Sequence, residues 1–571
     1  MQDDAKAGGA ADYPDIELLN NGLPRSSAVP GRPVYAAPAP GRVSVAGLEP
    51  YAGPWDERHA EHLLRRATFG PTRAEVRSAA ATSLDATVKA LFATQAAPSD
   101  PYGYGASDPA DQKSAKRIWA WSEYIPSIDF YYRAGIAAWW FNLMYTSGTS
   151  LREKMVLFWH NHFVSELSSV LSAKYMHMQN MLLRSNAFGN FRTLVGDITV
   201  DPAMLIYLNG ETNTKGKANE NYARELQELF TIGKGQEIGP GNYTTYTESD
   251  VREAARVLTG WRETRATYSS SFNATQHDTG DKTFSAAYQN TIIIGRSGAD
   301  GAKEVDDLRD MILRQDETAK HICRKLYRWF VYYRIDSAVE AAVIEPMANL
   351  LRSSNYEVLP VLDTLFRSAH FHSDDVIGSM IKNPMDFLIG LLREGNLALP
   401  NPQQDQLNAL NVCANFVVLG AGLQLELFNP PNVAGWPAYY QEPQYHELWI
   451  NTATFPTRGG ISDSVIDGKR VGTVRLQVDL IEMVKAFSDP GNPRVVIAEL
   501  SAQFFPFNLT QTQQDYLLAN VFLPGLPDYE WGVEWNDYIA NPANAQKKAL
   551  ITTKLADLAK FLLRLAEYQL S

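Results

Sequence analysis

LREKMVLFWHNHFVSELSSV, residues 151–170, decides the fold: its apolar residues recur at the spacing of a helix. The same spacing runs outward through ERHAEHLLRRATFG (57–70), RAEVRSAAATSLDATVKALFA (73–93), DFYYRAGIAAWWFNLMYTS (129–147) and AKYMHMQNMLLRSNA (173–187). Gly70-Pro71-Thr72 punctuates the first two as stop, turn and cap. Asp201-Pro202 opens a short helix with Asp as N-cap and Pro at the first helical position. NENYARELQELFTIG (219–233) is a helix that ends at Gly233, a left-handed C-cap. Thr247 to Asp250 start VREAARVLTGW with an acidic capping box. Further helices are expected at 304–316, 317–333, 336–354, 355–370, 383–395 and 404–420.

Three stretches break the pattern. Residues 1–54 are rich in Ala, Gly and Pro without periodicity and read as an extended leader. Residues 262–300 are rich in Ser, Thr, Asn and Gly and carry the β-like Thr291-Ile292-Ile293-Ile294, so a loop insert or small hairpin is expected. Residues 429–460, dense in Pro, Gly and aromatics, read as one long irregular loop, which is usually functional. The part from 475 to 571 is helical again, with a Trp/Tyr/Pro-rich turn at 524–537. The expected architecture is mainly α: one large multi-helix body from residue 55 to 571, with long loops and a small β-containing insert.

Lys plus Arg total 52 and Asp plus Glu 64, a formal net charge of −12 over 571 residues. That balance argues against a non-specific nucleic-acid binder, which needs a basic surface. No run approaches the ~18 apolar residues of a membrane span. QDDAKAGGAADYPD after Met1 has neither a basic nor an apolar signal region, and reads as a mature N-terminus whose signal peptide has been removed. Two cysteines, Cys323 and Cys413, exclude a disulfide framework; a single bridge or two small buried hydrophobes are the alternatives. GxSxG, HExxH, GxxxxGK[ST] and a strand-embedded GxGxxG are absent, which removes α/β-hydrolases, zincins and P-loop NTPases.

HLLRRATFGPT (62–72), FWHNHFV (158–164), DPAMLIYLNG (201–210), NENYARELQELFTIG (219–233), YTESDVREAARVLTGW (246–261), HDTGDKTF (277–284), KLYRWFV (325–331) and NPPNVAGWP (429–437) follow one another along the chain. Together they resemble the bacterial family called domain of unknown function 1800. The resemblance implies a mostly helical, exported protein of unestablished activity, with a sulfatase-like exported family as its genomic neighbour and candidate partner. Asn209-Gly210 departs from the Asp-Asn usual there and removes a carboxylate.

Several constellations carry candidate chemistry. His160 and His162 point ~200° apart on a helix and cannot chelate one ion together. A divalent metal such as zinc would take one of them with Glu166, which shares a face with His162, or with Glu228 from another helix. Glu225 is a candidate general base across from His162, or part of an ion-pair network with Arg224 and Glu228. His277 and Asp278 in the polar insert are candidate acid–base groups, with Lys282 as a substrate contact, although Asp-Thr-Gly-Asp is also turn chemistry. His321, Arg324, Lys325 and Arg328 share one side of a helix, either to hold an anion or to pair as a solvated face. Asn432, Trp436, Tyr440 and Trp449 suit sugar rings or a protein interface. The catalytic candidates are therefore His162, Glu225, His277 and Asp278, and the substrate candidates Arg224, Lys282, Asn432, Trp436, Tyr440 and Trp449. Two functions fit these residues: a hydrolase or lyase of an extracellular polymer such as a polysaccharide, or a non-enzymatic exported protein that binds a glycan or another protein.

Overall fold

Residues Arg152–His162 form a helix with no polar face. Trp159, Leu157, Val156 and Met155 are fully buried, and its polar residues Glu153, Lys154, His160, Asn161 and His162 are buried as well. A helix covered on every side belongs inside a body, and the helices Pro126–Thr146 and Ala173–Ser185 pack against it. The computed structural model describes residues 46–101 and 126–571; the leader read over 1–54 lies, for residues 1–45, outside the described residues. The described residues pack as one unit. Among the described residues no helix is long and apolar enough to cross a membrane.

The fold is mainly α with a few small β pieces. Thr72 and Thr247 each make a full capping box, with Glu75 and Asp250. Asp201 caps Pro202–Tyr207 by accepting from the Met204 amide at 3.0 Å. The polar insert is two hairpins: Trp261–Thr264 pairs antiparallel with Ser269–Phe272, and Lys282–Thr283 with Ile292–Ile293. Two helices start earlier than their composition predicts. Thr454–Asp467 begins inside the expected 429–460 loop, where Asn451 accepts from the amides of Ala453 and Thr454 at 2.9 Å each. Tyr529–Ala540 begins inside the expected 524–537 turn, because Trp531 and Trp535 bury themselves against the body. Cys323 and Cys413 are free and buried.

The centre holds an unusual load of charge. Lys154 pairs with Asp386, and Glu153 with Arg184. Arg65 donates to Glu61 at 2.8 Å and to Glu394 at 2.5 Å, and the Lys382 ammonium lies 3.6 Å from the same Glu394, whose side chain is fully buried. These deep charges stand in pairs, as an uncompensated buried ion is very costly.

Candidate functional site

The helix Asn221–Glu225 does not continue as an α-helix. Residues Leu226–Phe230 widen into a π-helical turn, a geometry that recurs at functional sites. The widened turn leaves carbonyls that need donors from outside. His162 Nε2 donates to the Phe230 carbonyl at 2.9 Å, while Lys325 Nζ and His321 Nε2 donate to the Leu229 carbonyl at 2.9 and 3.2 Å. Lys325 Nζ also donates to His162 Nδ1 at 3.1 Å. That bond fixes the tautomer, because a nitrogen that accepts from an ammonium carries no proton. Burial and the Lys325 charge hold His162 well below the usual imidazole range. Both of its ring nitrogens are thus occupied by structural bonds. In this structure His162 positions the π turn, and neither ring nitrogen is left open for the acid–base or metal-ligand role that its motif suggests.

Upstream of these carbonyls stand three carboxylates. Glu166 accepts from the Tyr207 hydroxyl at 2.7 Å and from Ser169 at 3.1 Å. Glu228 accepts from the Tyr246 hydroxyl at 2.7 Å and from Lys234 at 3.1 Å. Glu225 is half-buried and makes no hydrogen bond. Burial, with the like charge of Glu228 added, pushes its carboxyl up to about 7. Tyr207 feels both Glu166 and Glu225, and its phenol is raised by burial and by these charges. Lys325, its charge disfavoured by burial and by Arg328, falls to about 7. Glu225 opens the π turn and Lys325 bonds to its Leu229 carbonyl, and pKa values displaced toward neutrality are a feature of acid–base sites.

The other sequence candidates lie elsewhere. His277 and Lys282 are sealed from solvent. His277 Nδ1 faces the Thr259 carbonyl at 2.9 Å and Nε2 faces Glu304 at 3.1 Å; Lys282 pairs with Glu304 at 2.5 Å. Asp278 is held by Arg256 at 3.0 and 3.2 Å. No hydrogen bond joins these residues to the Glu225 cluster among the described residues. In this structure all three side chains are engaged by protein partners, and His277 and Lys282 do not open to solvent. Arg224 is engaged by both oxygens of Glu248, at 2.6 and 2.7 Å, and by Glu220 at 3.2 Å. His160 is buried among Trp140, Phe428 and Trp436, and burial lowers it to about 3. No group of three or more His, Cys, Asp or Glu among the described residues is placed to hold a metal ion. The set His160, His162, Glu166 and Glu228 is not assembled.

The aromatic loop is pinned to the body. Trp436 and Trp449 are buried, so neither offers a face to a sugar. Asn432 donates to the Tyr440 hydroxyl at 2.7 Å and shapes its own turn by accepting from Ala434 at 2.8 Å. Only Tyr440 of the four loop candidates is well exposed, at 38%. The loop docks through Asn161, which accepts from the Trp436 amide at 2.9 Å. Gly435 beside it has φ +94°, and a Cβ there would lie 2.4 Å from Asn161 Oδ1 and 2.6 Å from its carbonyl oxygen. Gly435→Ala is expected to cost about 2–4 kcal/mol, from left-handed strain plus a clash that backbone cannot relieve. A urea-unfolding loss below about 0.5 kcal/mol would contradict this docking.

Sequence reasoning missed Tyr207 and Tyr246 as tethers and treated Lys325 as part of a cationic face. In the structure that face is paired: Arg324 with Glu317 and Glu340, and Arg328 with the Tyr333 carbonyl. The i, i+3 spacing of Glu225 and Glu228 was the signal that survived. No curated protein and no solved structure matches the chain. Residues 62–570, nearly the whole length, match the pattern of one family, and the chain belongs to it: the protein of unknown function DUF1800.

Proposed function

We propose that this chain is an exported bacterial enzyme, a hydrolase or lyase of an extracellular polymer such as a polysaccharide, with Glu225 as its general base or acid. The observation that carries the reading is Glu225 itself. It is half-buried, lacks a hydrogen-bond partner, stands beside two tyrosine-tethered carboxylates and titrates at about 7. Lys325 and His162 hold the turn that presents it. Export and a sulfatase-like partner rest on the family resemblance alone, and the polymer on the aromatic content of 11% and the exposed Tyr440.

Wild-type protein and Glu225→Gln, screened for turnover of extracellular polysaccharide preparations, test it. The variant keeps size and shape, so it should fold normally and lose about 10²–10⁴-fold in rate. The limb of the wild-type pH profile near 7 should vanish with it. Full activity in the variant would sink the assignment of Glu225. The complete pairing of His162, His277 and Asp278 favours a second reading, a non-enzymatic glycan- or protein-binding protein, which gains if the wild type binds polymer without turning it over.

A further inference from the structure

A small cavity of about 20 Å³ lies away from Glu225, between Arg66 on the Glu57–Ala67 helix, Lys154 on the central helix, Trp329 and the aromatic loop residues Tyr439 and His446. That is room for little more than one water molecule. Three of its lining residues carry buried donors with no partner: Arg66 Nε, Trp329 Nε1 and His446 Nε2. The His446 atom is a donor by necessity, because Nδ1 accepts from the Ile381 amide at 3.2 Å and the ring proton must sit on Nε2. The surroundings are also short of negative charge. Five buried cations, Arg65, Arg66, Lys154, Lys382 and Arg458, face three side-chain carboxylates, Glu61, Glu394 and Asp386, and the terminal carboxylate of Ser571, which lines the cavity with Asp386. Arg66 bonds only to the Val376 carbonyl and Ser379, and Arg458 only to Gln569 and the Lys382 carbonyl. Neither guanidinium has a carboxylate within ion-pair distance.

The geometry points to a resident monovalent anion of halide size in this cavity, bound by Arg66, Trp329 and His446. A water molecule accepts two hydrogen bonds and brings two protons that need acceptors; a halide accepts from all three donors and brings none. It also supplies charge where two guanidiniums lack it. Burial lowers Arg66 and Arg458 to about 9 and Lys382 to about 8, so all three remain cationic at neutrality. The ion ties the aromatic loop to two helices of the core, and the inference stands independently of Glu225.

Thermal unfolding of the full chain in sodium gluconate, with chloride or bromide substituted at constant ionic strength, tests it. A saturable rise in Tm on the order of 1–3 °C is expected. Crystals grown in bromide should show an anomalous peak between Arg66, Trp329 and His446, and Arg66→Gln should abolish the halide-dependent shift. A Tm indifferent to halide, or bromide found only on the outer surface, overturns the proposal and means that the chain neutralises the cavity from within. Should Arg66→Gln fail to fold, the peak in the wild-type crystal decides alone.

Discussion

Lowering the pH from 6.5 to 5 is expected to strip about 5 kcal/mol from the stability of this chain. Seven of its ten histidines are held below the usual imidazole range: His160, His321 and His446 to about 3, His177 and His372 to about 4, and His62 and His162 well below that range. Desolvation is the first cause in every case. An imidazole with a depressed folded pKa stays neutral in the native chain, while the unfolded chain takes up a proton at about 6.5. Each such group therefore favours unfolding by about 1.4 kcal/mol per pH unit below that point. Asp201 and Glu225, raised to about 7, work the other way, because the native state binds their protons first, and Glu61, Asp129, Asp197, Glu211 and Asp386, raised by burial, add to them. The seven imidazoles outweigh these carboxyls only in part, and the net loss of about 5 kcal/mol is comparable with the whole stability of an ordinary domain. Urea unfolding followed by tryptophan fluorescence at pH 7, 6 and 5 measures it. A midpoint that does not move over that range would mean the imidazoles are hydrated rather than buried.

Glu394→Gln is expected to destabilise the chain by about 3–5 kcal/mol at pH 7. The carboxylate is fully buried and answers two cations, Arg65 at 2.5 Å and Lys382 at 3.6 Å. The amide fills the same space but removes the charge, so among the described residues the lysine loses its one carboxylate within ion-pair distance and the arginine keeps Glu61. Breaking a buried pair from one side costs this much because the survivor stays desolvated. An exposed pair offers the control: Lys89 with Asp85 lies at 2.7 Å on the surface, and Lys89→Met should change stability by less than about 0.5 kcal/mol. Equal effects of the two substitutions would refute the buried network.

What could be read in the sequence was what is local. Helix spacing and the caps at Thr72, Asp201 and Thr247 depend on neighbours three or four residues away, and each stands where its residues placed it. Glu225 and Glu228 were legible for the same reason. The partners that decide chemistry are distant. His162 spends Nε2 on a carbonyl 68 residues ahead and Nδ1 on a lysine 163 residues ahead. Glu304, which occupies His277 and Lys282, comes 27 and 22 residues after them, beyond both hairpin strands. Trp436 looked like a sugar platform because no spacing rule reveals that Asn161 draws its backbone into the core. The π turn was illegible because five residues of LQELF fit either winding.

That turn also constrains how the chain can change in length. A π turn behaves as one residue more than ordinary winding needs, so a single deletion within 226–230 would restore regular α-helix. The excision would turn everything upstream by about 100° relative to the carbonyls that His162 and Lys325 grip. Helix content would survive and the carboxylate would face another direction, so drift in this family should tolerate side-chain replacement here far more readily than a lost codon.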